Sequence, residues 1–67
     1  MALKNYSSVI LLTDRFREEG VKTGDIGYII EVYNNGEAYE VEFSDEKGIT
    51  IAQIVAQENE LKLQEPT

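Results

Sequence analysis

The 67-residue chain has no cysteine and no histidine, and its single proline is Pro66. Without cysteine there is no disulfide to staple a small fold and no thiolate to hold a metal. Without cysteine or histidine, a nucleophilic serine or threonine would need a lysine as its base. Ser7, Ser8, Thr13, Thr23, Ser44 and Thr50 all sit in or beside turn-forming stretches, where hydroxyls satisfy backbone groups. An enzyme is therefore not expected, and no cofactor or metal is assigned. Long apolar runs are missing too. Val9-Ile10-Leu11-Leu12 is too short for a signal segment or a membrane span, and Met1 to Asn5 holds one lysine and no extended apolar stretch. The cytoplasm is the expected compartment.

Positive charge is scarce. Six Lys and Arg stand against 13 Asp and Glu, a net charge of −7. That field repels a phosphate backbone, whose binding draws on clustered Lys and Arg, and attracts a basic protein. Acidity also keeps proteins soluble, so charge alone does not choose between a basic partner and simple solvation. A chain this short is expected to form one domain and to bury only about 60% of its unfolded surface. Its stability is then marginal, roughly 3–5 kcal/mol. Packing and self-association remain to hold it together, which makes a homo-oligomer a reasonable expectation.

The punctuation of the chain is that of β-structure. Ser8 to Thr13 is an apolar run of strand length, and Asp14 to Gly20 is a charged loop or single helical turn enclosing Phe16. Asp25 to Tyr33 is the strongest strand candidate. Asn34-Asn35-Gly36 is a hairpin signal, because Asn and Gly accept the positive φ of tight turns. Ala38 to Phe43 alternates, with Tyr39, Val41 and Phe43 on one side and Glu40 and Glu42 on the other. Ser44 to Gly48 makes a second turn, Ile49 to Val55 a further strand, and Leu61 to Leu63 a short last strand after the polar Gln57 to Glu60. Residues 1–5 and 64–67 are expected to be flexible tails of the single domain 1–67.

A two-residue loop at Asn35-Gly36 pairs Val32 with Tyr39, Ile30 with Val41 and Tyr28 with Phe43, and a loop at Asn34-Asn35 keeps the same parity, with Ile30 opposite Tyr39 and Ile26 opposite Phe43. The inward set is then Ile26, Tyr28, Ile30, Val32, Tyr39, Val41 and Phe43. About five short antiparallel strands must curl to cover their edges, and a small all-β barrel is the economical solution.

The segments Gly24-Asp25-Ile26-Gly27, Ile29-Ile30-Glu31-Val32-Tyr33 and Ala38-Tyr39-Glu40-Val41-Glu42-Phe43, followed by Asp45 and Gly48-Ile49-Thr50, resemble domain-of-unknown-function family 4926. These are small bacterial and archaeal proteins, and the likeness runs from Val9 to Leu63. Tyr28 departs from it, standing where the family has a smaller residue, and Ser7 or Ser8 replaces an acidic residue before the first strand. The resemblance implies an SH3-like barrel and no assigned activity. Members encoded beside toxin-like proteins suggest an antitoxin or immunity role. The Gly24-Asp25-Ile26-Gly27 turn is also similar to the nucleic-acid-binding turn of ribosomal barrels, an alternative that the charge opposes. It is equally a glycine-permitted bend between strands.

Candidate contact residues follow from the faces. Glu31, Glu40 and Glu42 share the outer side of the hairpin, with Glu31 opposite Glu40 in one register. Like charges across strands are destabilising, so a hard cation, an Arg or Lys of a partner, or plain solvent screening must compensate. A carboxylate metal site is accordingly a further alternative. Tyr33 and Ile29 fall on that outer side. Phe16, flanked by Arg15 and Arg17, either plugs the barrel end or anchors an interface, since aromatics and arginines concentrate binding energy. Val9 to Leu12 and much of Ile49 to Val55 are apolar on both faces. Such two-sided strands favour a homodimer, because exposed apolar patches seldom persist on monomers. The expected function is a non-catalytic protein–protein interaction module, a docking surface for a basic partner or for a second copy.

Overall fold

A computed structural model describes residues 3–64. Five strands form one antiparallel sheet: β1 Ser8–Leu11, β2 Ile26–Tyr33, β3 Ala38–Ser44, β4 Thr50–Ala56 and β5 Leu61–Leu63, in the spatial order β4-β3-β2-β1-β5. Two single-turn 3-10 helices, Arg17–Glu19 and Glu58–Glu60, sit in the β1–β2 and β4–β5 connections. The expected all-β class holds, and each expected strand is present with its ends shifted by no more than two residues.

Alternation decides which side of the sheet is oily. β3 buries Tyr39, Val41 and Phe43, as its pattern requires, while Glu40 and Glu42 face the other way. β1 contributes Val9 and Leu11, β4 contributes Ala52, Ile54 and Ala56, and β5 contributes Leu61. The β1–β2 connection closes over this layer with Phe16 and Val21, both buried. Leu3 packs on the same core, its N–H donates to the Tyr39 hydroxyl at 3.2 Å, and the Tyr6 N–H donates to the Ile29 carbonyl at 2.6 Å. Leu3 to Asn5, part of the expected N-terminal tail, run from the Leu3 contact with the core to the Tyr6 bond with β2, and Lys4 and Asn5 are exposed. Of the other expected tail residues, 1–2 and 65–67 lie outside the described residues.

The β2–β3 hairpin keeps the expected pairing only near its turn. Val32 faces Tyr39 and Glu31 faces Glu40, but the loop has four residues, closed by the pair Tyr33–Ala38. Asn34, Asn35 and Gly36 all take positive φ, and the Tyr33 carbonyl accepts the N–H groups of both Gly36 and Glu37. Below Glu31 the register shifts, so that Ile29 pairs with Val41 and Tyr28 with Glu42. Ile30 is the extra residue of a β-bulge, and an extra residue reverses the sides for everything beyond it.

This corrects the expected inward set. Ile29 is fully buried, whereas Ile26 and Tyr28 are 46% and 54% exposed and Ile30 is half-buried. The physical reason lies in Gly27, which now faces the core: any side chain there would collide with Val41, Phe43 and the β3 backbone. Ile29 in turn has both backbone groups bonded to the N-terminal segment, its N–H donating to the Ser7 carbonyl at 3.0 Å.

Candidate functional site

From Ile26 to Ser44 the chain carries Glu31, Glu37, Glu40 and Glu42 and no lysine or arginine. The hairpin therefore holds four of the molecule's negative charges without a positive one. Glu31 and Glu40 are direct cross-strand partners, the arrangement in which like charges repel most. Neutral donors hold them in place. The Tyr33 hydroxyl donates to Glu40 Oε1, and the Val32 N–H donates to Glu31 Oε1 at 3.3 Å. Glu42 Oε2 accepts from Thr50 Oγ1 at 3.2 Å and from Gln53 Nε2 at 3.5 Å. Because its proton is held by Glu40, the Tyr33 phenol is pushed above its ordinary pKa. Among the described residues no lysine or arginine pairs with Glu31, Glu40 or Glu42. Nor do three or more acidic side chains among the described residues group in a way that could hold a metal ion.

The bulge sets apolar groups beside these carboxylates. Tyr28 is the cross-strand neighbour of Glu42, and Ile26 follows on the same side, paired with the half-buried Ile10 of β1. Ile51 of β4 is also exposed, and between it and Ile26 lies a groove of about 320 Å³ that passes Lys22, Asp25 and Ser44. The surface is thus a hydrophobic row bordered by acid. Ile26, Tyr28 and Ile51 were not among the expected contact residues, since a regular hairpin would have placed the first two inside.

The remaining expected contacts separate. Ile29 is core and offers nothing to a partner. Phe16 is 7% exposed and belongs to the core cluster. The Arg15 guanidinium lies 4.2 Å from the centre of the Phe16 ring and makes a two-pronged pair with Glu60, Nε to Oε2 at 2.7 Å and Nη2 to Oε1 at 2.8 Å. Arg15 holds the Glu60 carboxyl below the usual carboxylate range, and Glu60 also accepts the Gln57 N–H at 2.9 Å. Arg17 pairs with Asp14 at 3.4 Å. Asp14 is held low as well, chiefly by the Thr23 N–H that it accepts at 3.0 Å. These arginines fasten the β1–β2 connection. Glu31, Tyr33, Glu40 and Glu42 are the expected residues that the structure does bring together.

Hydroxyl groups follow the structural role. Thr13 Oγ1 accepts the Arg15 N–H, Ser8 Oγ donates to Gln64, and Thr50 donates to Glu42. Among the described residues no helix is long and apolar enough to cross a membrane.

No curated protein and no solved structure matches the chain. A family model described as Domain of unknown function (DUF4926) matches residues 6–63, a span that takes in all five strands, the bulge and the acidic face, and the chain belongs to that family.

Proposed function

We propose that this protein is a non-catalytic interaction module that docks a basic protein on the solvent face of β2 and β3. One observation carries the reading: Glu31, Glu40 and Glu42 are uncompensated by any cation among the described residues, and the exposed Tyr28, cross-strand from Glu42, continues to the exposed Ile26 on the same side of β2. A partner bringing Arg or Lys next to an apolar group would relieve the repulsion between Glu31 and Glu40 and cover the hydrophobic row at once. The strand order and the 3-10 turn before the last strand support an SH3-like barrel as the frame. Neutralisation of a basic toxin-like protein is the narrower form of this reading, and the cytoplasm is the compartment it requires.

The test is parallel capture with the tagged protein and a Glu40→Lys/Glu42→Lys variant. The expected result is a basic protein retained at about 0.05 M salt, released near 0.5 M, and absent from the variant. Equal capture by both proteins, or retention indifferent to salt, removes the proposal.

A further inference from the structure

The two edges of the sheet are built differently. β5 is three residues long and carries Lys62 at its centre, two of the devices by which proteins prevent a sheet from growing sideways. β4 has seven residues, Thr-Ile-Ala-Gln-Ile-Val-Ala, with no charge and no proline. Among the described residues no backbone group of Thr50–Ala56 bonds to anything outside β3, so one whole side of the strand presents free N–H and C=O groups. Its register irregularity sits opposite Phe43 and Ser44 and leaves Ala52–Ala56 regular. Alongside this regular part the β1–β2 connection leaves an open groove of about 360 Å³, with Gln53, Ile54 and Val55 on one wall and Phe16 and Glu19 on the other.

From this asymmetry we infer that β4 pairs with β4 of a second copy, antiparallel about a two-fold axis at Ile54, to make a dimer with a continuous sheet. The sequence of the edge fits its own reverse. In that register Ile54 faces Ile54 of the other copy, Ala52 faces Ala56, and Gln53 faces Val55. Buried side chains then meet buried ones and exposed meet exposed, as a shared core requires. A shift by one residue would set Ile54 against Gln53 and is excluded on that ground. Charge does not forbid the pairing despite −7 on each copy. Glu40 and Glu42 lie in β3, so they and their counterparts are separated by three strand spacings, about 14 Å, which exceeds the screening length at physiological salt. A separate basic partner is a poorer occupant, since β4 offers it no carboxylate and the one carboxylate lining the groove, Glu19, shares it with the Arg15 guanidinium. The pairing leaves the hairpin's acidic face open, with Gln53 and Val55 at its border as the cross-strand neighbours of Glu42 and Glu40.

Sedimentation equilibrium of the full chain at about 0.15 M salt tests the inference. The wild type is expected to dimerise. Gln53→Glu/Val55→Glu, at exposed positions beside Glu42 and Glu40, is expected to weaken the dimer about tenfold or more, because it sets like charges across the new ladder twice, and Gln53→Lys/Val55→Lys, whose charges those carboxylates partly offset, is expected to weaken it less. Mixed together, the two variants are expected to recombine as a heterodimer. As a check that needs no variant, exchange of the Gln53 and Val55 amides should slow as wild-type concentration rises. A wild type that stays monomeric at about 1 mM overturns the inference. So does a dimer indifferent to both charge changes, a pair of variants that never recombine, or amide exchange at β4 independent of concentration.

Discussion

At Gly27 a methyl group would sit 2.7 Å from Val41 Cγ1 and 2.9 Å from both the Glu42 carbonyl oxygen and Phe43 Cε2. The constraint there is space, since Gly27 is not among the residues with positive φ. Gly27→Ala is therefore expected to cost about 1–3 kcal/mol through overpacking, measured by urea unfolding. In a domain of roughly 3–5 kcal/mol that is a large share of the total. Glu60 offers a second test at this scale. Its folded pKa lies below its unfolded value, so the stabilisation is present above about pH 4.5 and is lost as pH falls through the folded pKa. Glu60→Gln, which gives up the Arg15 pair and weakens the bond from Gln57, should lower stability by roughly 1–2 kcal/mol at neutral pH. The wild-type and variant curves should converge in acid. A constant gap between them down to about pH 2 would mean that the carboxylate charge contributes nothing.

At the level of single elements, the bulge at Ile30 separates what the sequence makes legible from what it hides. β3 could be read at sight, because Tyr39, Val41 and Phe43 alternate with glutamates and leave one choice of face. β2 could not. Tyr28-Ile29-Ile30 is apolar at three consecutive positions, so either parity is chemically acceptable, and the strand switches parity within that triplet. The signal that could have revealed it is Gly27, a residue without a side chain in an otherwise bulky strand, which marks close approach of another backbone. Phe16, which the sequence leaves open between a plug and an interface anchor, is buried in the core cluster with the Arg15 guanidinium over its ring on the way to Glu60. A pair of truncations tests the reversal. Ile29→Ala should cost about 2–4 kcal/mol and bring the protein close to unfolding, while Ile26→Ala should cost less than about 1 kcal/mol. Similar losses at the two positions, read from thermal melts, would contradict the bulged register.

For the molecule as a whole, electrostatic self-repulsion opposes the small core. The net charge is −7, and the hairpin's four glutamates have no internal counter-charge. Raising sodium chloride from about 0.02 to about 0.3 M should therefore raise the melting temperature, because screening acts on the repulsive contacts of the exposed hairpin more than on the half-shielded Arg15–Glu60 pair. A melting temperature that falls over this range would show that attractive pairs dominate. The placement of those pairs has a kinetic side. Arg15, Arg17 and Lys22 are all engaged at the β1–β2 connection, so half of the six positive groups offset the acids around that connection, while Ile26 to Ser44 carries none. Such a lopsided field exerts a torque on a cationic body several ångströms before contact. Collisions would arrive already oriented on the hairpin, and their frequency, more than the lifetime of what they form, would respond to ionic strength.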